Sequence, residues 1–131
     1  MIVIPTYQIG FIHIPKTGGT SITAFLKKTF PESYMAHGYH SCLNQAVLRG
    51  YSFFSSVRDP LARAQSYYRW FNLSAKEDSS TYPHKFLATQ YDFPEWIEEW
   101  FLPFCPSQES YVLVEGEIPP NLKVIRFSHL I

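Results

Sequence analysis

The sequence predicts an α/β fold built on a parallel sheet, and three observations favour this class. First, the apolar, β-rich segments 8–14 and 51–57 have the length of buried strands. Second, each is followed by a segment with helical periodicity, over 20–29 and from 60 to about 72. Third, strands that alternate with helices are typical of parallel sheets.

Length and composition predict one domain over residues 1–131. Hydrophobic residues make up 46% of the chain, which argues against disorder, and eleven basic residues balance eleven acidic ones. No global field favours nucleic acid or a membrane surface, so any anion site must be local. No stretch approaches the ~20 apolar residues of a membrane span. The start is a poor signal peptide, so we expect a cytoplasmic protein with reduced Cys42 and Cys105.

The first predicted helix, over 20–29, places Ile22, Phe25 and Leu26 on one face, and Pro31 ends it. Two shorter elements follow. Residues 33–35 favour a short strand, and residues 41–50 favour a short helix that ends at a glycine.

After the strand over 51–57, Pro60 suits the first turn of the next helix. Residues 73–83 are polar and predict a surface loop, whereas 94–101 is amphipathic. The segment 110–131 suggests two strands around a Pro-Pro-Asn turn. Because only "SHLI" follows the last strand, we expect the domain to be incomplete at its C-terminus.

The stretch "HIPKTGGTS", residues 13–21, predicts an anion cradle between a strand and a helix. Lys16 supplies a full charge, and Gly18 and Gly19 let the backbone approach a ligand closely. Hydroxyl groups come from Thr17, Thr20 and Ser21. In the nucleotide P-loop the lysine follows the glycines, whereas here it precedes them, so we expect a bound group other than an ATP triphosphate. The alternative is a plain strand-to-helix turn.

A second anion site is predicted at the end of the strand over 51–57. Arg58 lies where ligands bind in open α/β sheets, and Ser66 follows eight residues later. An arginine fork and a hydroxyl can hold one phosphate between them. The alternative is an Arg58–Asp59 ion pair. Two anion sites on successive strand ends suggest one ligand with two separated anionic groups.

The segments "HIPKTGGTS" and "VRDPLARAQSYY" together resemble the sulfotransferases that use 3′-phosphoadenosine 5′-phosphosulfate (PAPS), in particular the carbohydrate-type branch. The fainter "PSQESY" and "VIRFSHL" resemble later segments of that family. The resemblance implies a P-loop-like three-layer sandwich with a central parallel sheet. It also implies transfer of a sulfuryl group from PAPS, without a metal, to the hydroxyl of a glycan or another small molecule.

The resemblance also implies residue roles. The groups that hold the 5′-phosphosulfate would be Lys16, Thr17, Gly18, Gly19, Thr20 and Ser21. Arg58 and Ser66 would hold the 3′-phosphate. Ser128 stands where the family usually has a glutamate, and the family's C-terminal helices have no counterpart in this sequence.

For catalysis, we expect Lys16 to stabilise the leaving phosphate and a histidine to act as the base, because the histidine pKa suits neutral pH. His40 is the first choice and His37 the second, whereas His13 is assigned a structural role. An acceptor site could be lined by Tyr67, Trp70, Lys76, His84 and Lys85. The alternative is that the aromatic residues belong to the core and lie beside a solvated loop. The sequence does not identify the acceptor.

Two other functions stay open. A nucleotide kinase would use Asp59 as a magnesium ligand, although the lysine order argues against it. A truncated relative would keep both anion sites and bind the nucleotide without catalysing transfer. No His, Cys or carboxylate cluster has the spacing of a metal site.

Overall fold

The computed structural model describes residues 1–43, 49–75 and 83–129, with only the backbone described at 83–86 and 129. The chain forms two compact units. The sheet unit consists of Met1–Arg58 and Ser107–Ile131, and the helical unit is Asp59–Pro106. No helix among the described residues is long and apolar enough to cross a bilayer.

Five strands form the sheet of the sheet unit. They are β1 (Ile2–Ile4), β2 (Ile9–Ile12), β3 (Tyr34–Met35), β4 (Ser52–Val57) and β5 (Leu122–Arg126). Their order across the sheet is β3-β1-β2-β4-β5. The predicted α/β class is confirmed, and the strands expected at 8–14, 33–35 and 51–57 are present with small differences at their ends.

The sheet is mixed, which corrects the prediction of a wholly parallel one. Strands β2, β4 and β5 run parallel, but β1 is antiparallel to both β2 and β3. The link between β1 and β2 is a single 3-10 turn at Pro5–Tyr7. A connection this short can join only antiparallel neighbours, because a parallel pair needs a crossover of a dozen or more residues.

The three parallel strands end at the same edge of the sheet. In the register, Ile12 of β2 lies beside Ser55 of β4, and Val57 lies beside Arg126 of β5. The turn after β2, the residue Arg58 and the residue Phe127 therefore all follow this carboxyl edge. Ligands of open α/β sheets bind at such an edge.

Apolar side chains cover both faces of the sheet because they alternate along each strand. On one face, Ile4 and Phe11 pack with Leu26 of the first helix, α1 (Gly19–Thr29). On the other face, Ile12 and Phe53 pack with a group that includes Tyr111 and Val112. The helix predicted over 20–29 is thus present and is anchored by Leu26 and Ile22, whereas Phe25 of the predicted apolar face is exposed.

The first of the two strands predicted within 110–131 does not form. A 3-10 turn at Glu109–Tyr111 stands there, followed by a lone bridge between Val114 and Glu117. Between the bridged residues, Glu115 and Gly116 have φ values of 52° and 85°. This left-handed backbone closes a tight turn and ends extended pairing.

The helical unit contains the second predicted helix, α2 (Pro60–Ala75), and α3 (Pro83–Gln90). It continues through α4 (Phe93–Trp96), a π-helical turn (Ile97–Phe101) and α5 (Leu102–Phe104). The buried aromatic residues Tyr67, Phe71, Trp96 and Trp100 form its core. The amphipathic segment predicted at 94–101 therefore buries its tryptophans.

Two predicted elements lie largely outside the described residues. The short helix expected over 41–50 falls mainly on residues 44–48, and the surface loop expected over 73–83 falls mainly on residues 76–82.

Candidate anion-binding site

The turn between β2 and α1 has the backbone of an anion cradle. Gly18 is the N-cap of α1 at φ 83°, and Lys16 also adopts a left-handed φ of 66°. Such a conformation is uncommon for a residue with a side chain and is concentrated at functional sites. The first amides of a helix have no intrahelical partner, and the helix dipole makes this end positive. Thr20 and Ser21 stand exposed in the same first turn.

The side chain of Thr17 is used inside the protein. It is fully buried, and its hydroxyl donates a hydrogen bond of 2.8 Å to the Ile14 carbonyl. The Ser56 hydroxyl donates to the Thr17 carbonyl at 2.9 Å, and the two hydroxyl oxygens are 3.1 Å apart. Thr17 therefore ties the turn to β4, and the hydroxyls of Thr20 and Ser21 remain the side-chain candidates for a ligand.

Replacing Thr17 with valine is expected to lower the free energy of unfolding by about 1–2 kcal/mol, because buried polar groups lose a partner while the shape is kept. Urea denaturation measures the change. The matched control is Thr20→Val, which removes an exposed hydroxyl and should change stability by less than about 0.5 kcal/mol. Equal effects of the two substitutions would contradict the role assigned to Thr17.

Lys16 and Arg58 bring two positive charges to the carboxyl edge. Burial lowers the pKa of Lys16 below its usual value, and the positive charge of Arg58 lowers it further. The Arg58 guanidinium lies over the ring of Phe127, 4.8 Å from its centroid. Two cations that repel each other at one edge form a region of positive potential, which a bound anion would relieve.

An apolar pocket of about 460 Å³ lies beside the turn, between α1 and the ends of β4 and β5. Residues that line it include Gly18, Ser21, Phe25, Phe54 and Phe127. A Cβ atom at Gly18 would overlap the Phe127 ring, so this glycine is needed for the close approach as well as for its φ. The pocket can accept a flat apolar group attached to an anion on the turn. Sequence reasoning missed it because its lining residues are spread along the chain.

His40 lies next to the start of the turn. Its Nδ1 atom is 3.2 Å from the His13 carbonyl oxygen, and the two histidine rings meet edge-on with centroids 4.6 Å apart. His37 is exposed at φ 57°, and its carbonyl accepts a hydrogen bond from the Ser41 hydroxyl. The structure thus brings the first-choice base, His40, to the turn.

His13 is buried under the start of α1 and is 3% exposed. Burial, helped by the nearby His40, lowers the pKa of His13 from 6.5 to about 4, so its ring is neutral at pH 7. Its Nδ1 atom has no hydrogen-bond partner among the described residues. These properties agree with the structural role assigned from the sequence.

Gly19 makes room for the His13 ring, since a Cβ atom at this position would overlap it. We expect Gly19→Ala to destabilise the protein by about 2 kcal/mol, the usual cost of overpacking a dense core. In a His13→Ala background the same change should instead be neutral or stabilise by up to about 1 kcal/mol, since alanine favours helix. Thermal or urea denaturation of the four proteins tests this reversal, and an equal penalty in both backgrounds would contradict it.

The other predicted residues lie in the helical unit or outside the described part of the chain. Ser66 is half-buried on α2 in the helical unit, so its pairing with Arg58 of the sheet unit stays a prediction. Tyr67 belongs to the aromatic core, and Trp70 is exposed. Lys76 and the side chains of His84 and Lys85 lie outside the described part of the chain.

Asp59 is used to begin a helix, because its Oδ1 atom accepts a hydrogen bond of 2.8 Å from the Ala62 amide. In the described ranges, no group of three His, Cys, Asp or Glu side chains is placed to share a metal ion. Comparisons of the chain with protein-family models, with curated proteins and with solved structures find no match in any of the three.

Proposed function

We propose that this protein binds PAPS at the carboxyl edge of its sheet and transfers the sulfuryl group to a hydroxyl acceptor. The observation that carries the proposal is that two positively charged side chains, Lys16 and Arg58, lie close to each other. These cations come from two strand ends, and Arg58 is near enough to lower the pKa of Lys16. PAPS has two separated anionic groups, and each of the two cations could bind one of them.

On this proposal, the three parts of the nucleotide bind to three parts of the edge. The 5′-phosphosulfate would lie on Lys16 and the first amides of α1, where the helix dipole favours an anion. The 3′-phosphate would lie on Arg58, with Ser66 as its second donor. The adenine would enter the apolar pocket near Phe127, which is lined largely by aromatic and aliphatic side chains. On this proposal the fold is a P-loop-like three-layer sandwich.

Transfer would proceed in line. The acceptor oxygen forms a bond to sulfur while the bond from sulfur to the 5′-phosphate oxygen breaks, which releases adenosine 3′,5′-bisphosphate. Lys16 and the turn amides stabilise the charge that builds on this leaving phosphate. His40 accepts the proton of the acceptor hydroxyl. The acceptor is proposed to be a glycan or another small molecule.

A thermal-shift experiment tests the proposal. Adenosine 3′,5′-bisphosphate at 100 times its Kd should stabilise the protein by about 2.7 kcal/mol, without a metal. Arg58→Ala should remove most of this shift, whereas the matched control Arg49→Ala, at an exposed position, should keep it. A larger shift with ATP and magnesium would favour a kinase. Binding of the bisphosphate without any transfer from PAPS would favour the non-catalytic relative.

A further inference from the structure

The side-chain amide of Gln108 makes two hydrogen bonds with the backbone of Arg58. Its Oε1 atom accepts from the Arg58 amide at 2.8 Å, and its Nε2 atom donates to the Arg58 carbonyl at 2.8 Å. Both backbone polar groups of one residue are therefore satisfied by one side chain, which is 50 positions away in sequence.

Arg58 needs such a partner because it follows the last residue of β4. The last paired residue of β4 on the β2 side is Ser55, and on the β5 side it is Val57. Arg58 is the next residue, and no residue in the described part of the chain pairs with it in a ladder. A side-chain amide that both accepts and donates reproduces the pattern of a neighbouring strand, so it extends the order of the sheet by one residue.

We propose that Gln108 is a positioning residue for Arg58, and that through Arg58 it sets the affinity of the site for its second phosphate. This inference rests on the proposed function. With its backbone fixed, Arg58 starts from a defined position over Phe127 and near Lys16. A side chain held in its bound arrangement loses less conformational freedom when the ligand arrives. Gln108 itself is not proposed to touch the ligand.

A purely structural role would have different consequences. Gln108 begins the segment that buries Tyr111 and Val112 against the sheet, so its loss could simply loosen that face. Loosening would weaken all ligands alike. Loss of the Arg58 position would weaken the binding only of ligands that carry a 3′-phosphate. The ratio of the affinities for ligands with and without a 3′-phosphate therefore separates the two roles.

The experiment measures the Kd of adenosine 3′,5′-bisphosphate and of adenosine 5′-monophosphate by titration calorimetry. We expect Gln108→Ala to weaken binding of the bisphosphate about tenfold, which corresponds to ~1.4 kcal/mol. The Kd of the monophosphate should change by less than about twofold. Gln108→Met keeps the length of the side chain without its polar atoms and should give the same ratio if Gln108→Ala does not fold. The matched control is Gln90→Ala, at an exposed position of α3.

The Arg58→Ala variant separates failure of this inference from failure of the proposed function. Suppose that the wild type prefers the bisphosphate and that Arg58→Ala removes this preference. If the Gln108 variants then keep the preference, only the positioning role of Gln108 is overturned. If the wild type shows no preference, the proposed function fails and this inference fails with it. In the Arg58→Ala background, Gln108→Ala should have no further effect on the ratio.

Discussion

Sulfuryl transfer by the Lys16→Ala variant is expected to fall about a thousandfold, near the upper range for removing one preorganised donor to a developing charge. Lys16 is half-buried, and its charge is held beside that of Arg58. The low dielectric of such a site strengthens the attraction of Lys16 for the leaving phosphate. We expect kcat to fall as well as KM to rise, because the charge on that phosphate grows during transfer.

The measurement is release of adenosine 3′,5′-bisphosphate from PAPS with a panel of hydroxyl acceptors. Lys27→Ala, an exposed lysine in the last turn of α1, is the matched control and should keep full activity. Lys16→Arg keeps the charge but not its shape, so we expect intermediate activity. A Lys16→Ala variant with more than about a tenth of the wild-type rate would contradict the assignment, since a tenth corresponds to only ~1.4 kcal/mol.

The second large effect is a loss of stability in acid that depends on His13. In the folded protein the pKa of His13 is about 4, below its unfolded value of 6.5. Between these two values the unfolded chain binds the extra proton, so stability increases with pH across this window. The contribution is fully present above pH 6.5 and is lost as the pH falls to 4. Its size is up to about 3 kcal/mol, from ~1.4 kcal/mol per pKa unit.

Urea denaturation between pH 4 and 7 measures this effect as the difference between the wild type and His13→Phe. The contributions of titratable groups that do not interact with His13 are common to both proteins and cancel. The titratable groups that face His13 are His40, Tyr39 and the N-terminal amine. The variant His40→Gln should therefore have a higher His13 pKa, and its stability should depend less steeply on pH than that of the wild type. Identical slopes for the wild type and His13→Phe would contradict a buried, neutral His13.

The local parts of the site could be predicted from the sequence. A strand, a glycine turn and a helix in direct succession predict the cradle between β2 and α1, because these three elements are neighbours along the chain. The position of Arg58 at the carboxyl edge could also be predicted, because this residue directly follows an apolar strand. The strand at Ile2–Ile4 was missed, because Pro5 directly after it hid a short antiparallel turn.

Distant contacts could not be predicted. The sequence suggested that the Thr17 hydroxyl faces a ligand, but Ser56, 39 positions later, engages it inside the protein. Phe127 reaches Arg58 because it directly follows β5, which pairs with β4. Gln108 reaches Arg58 from the segment that packs Tyr111 and Val112 against the sheet. A glutamine in a loop gives no sequence signal for such a role, since its partner is a backbone group rather than a side chain.

The central claim is that one nucleotide joins the turn at Lys16 to Arg58. A crystal structure of the protein with adenosine 3′,5′-bisphosphate tests it most directly. We predict the 5′-phosphate on the amides at the start of α1, the 3′-phosphate on the Arg58 guanidinium and the adenine against Phe127. Both phosphates on the Lys16 turn, or a nucleotide bound away from Arg58, would contradict the account.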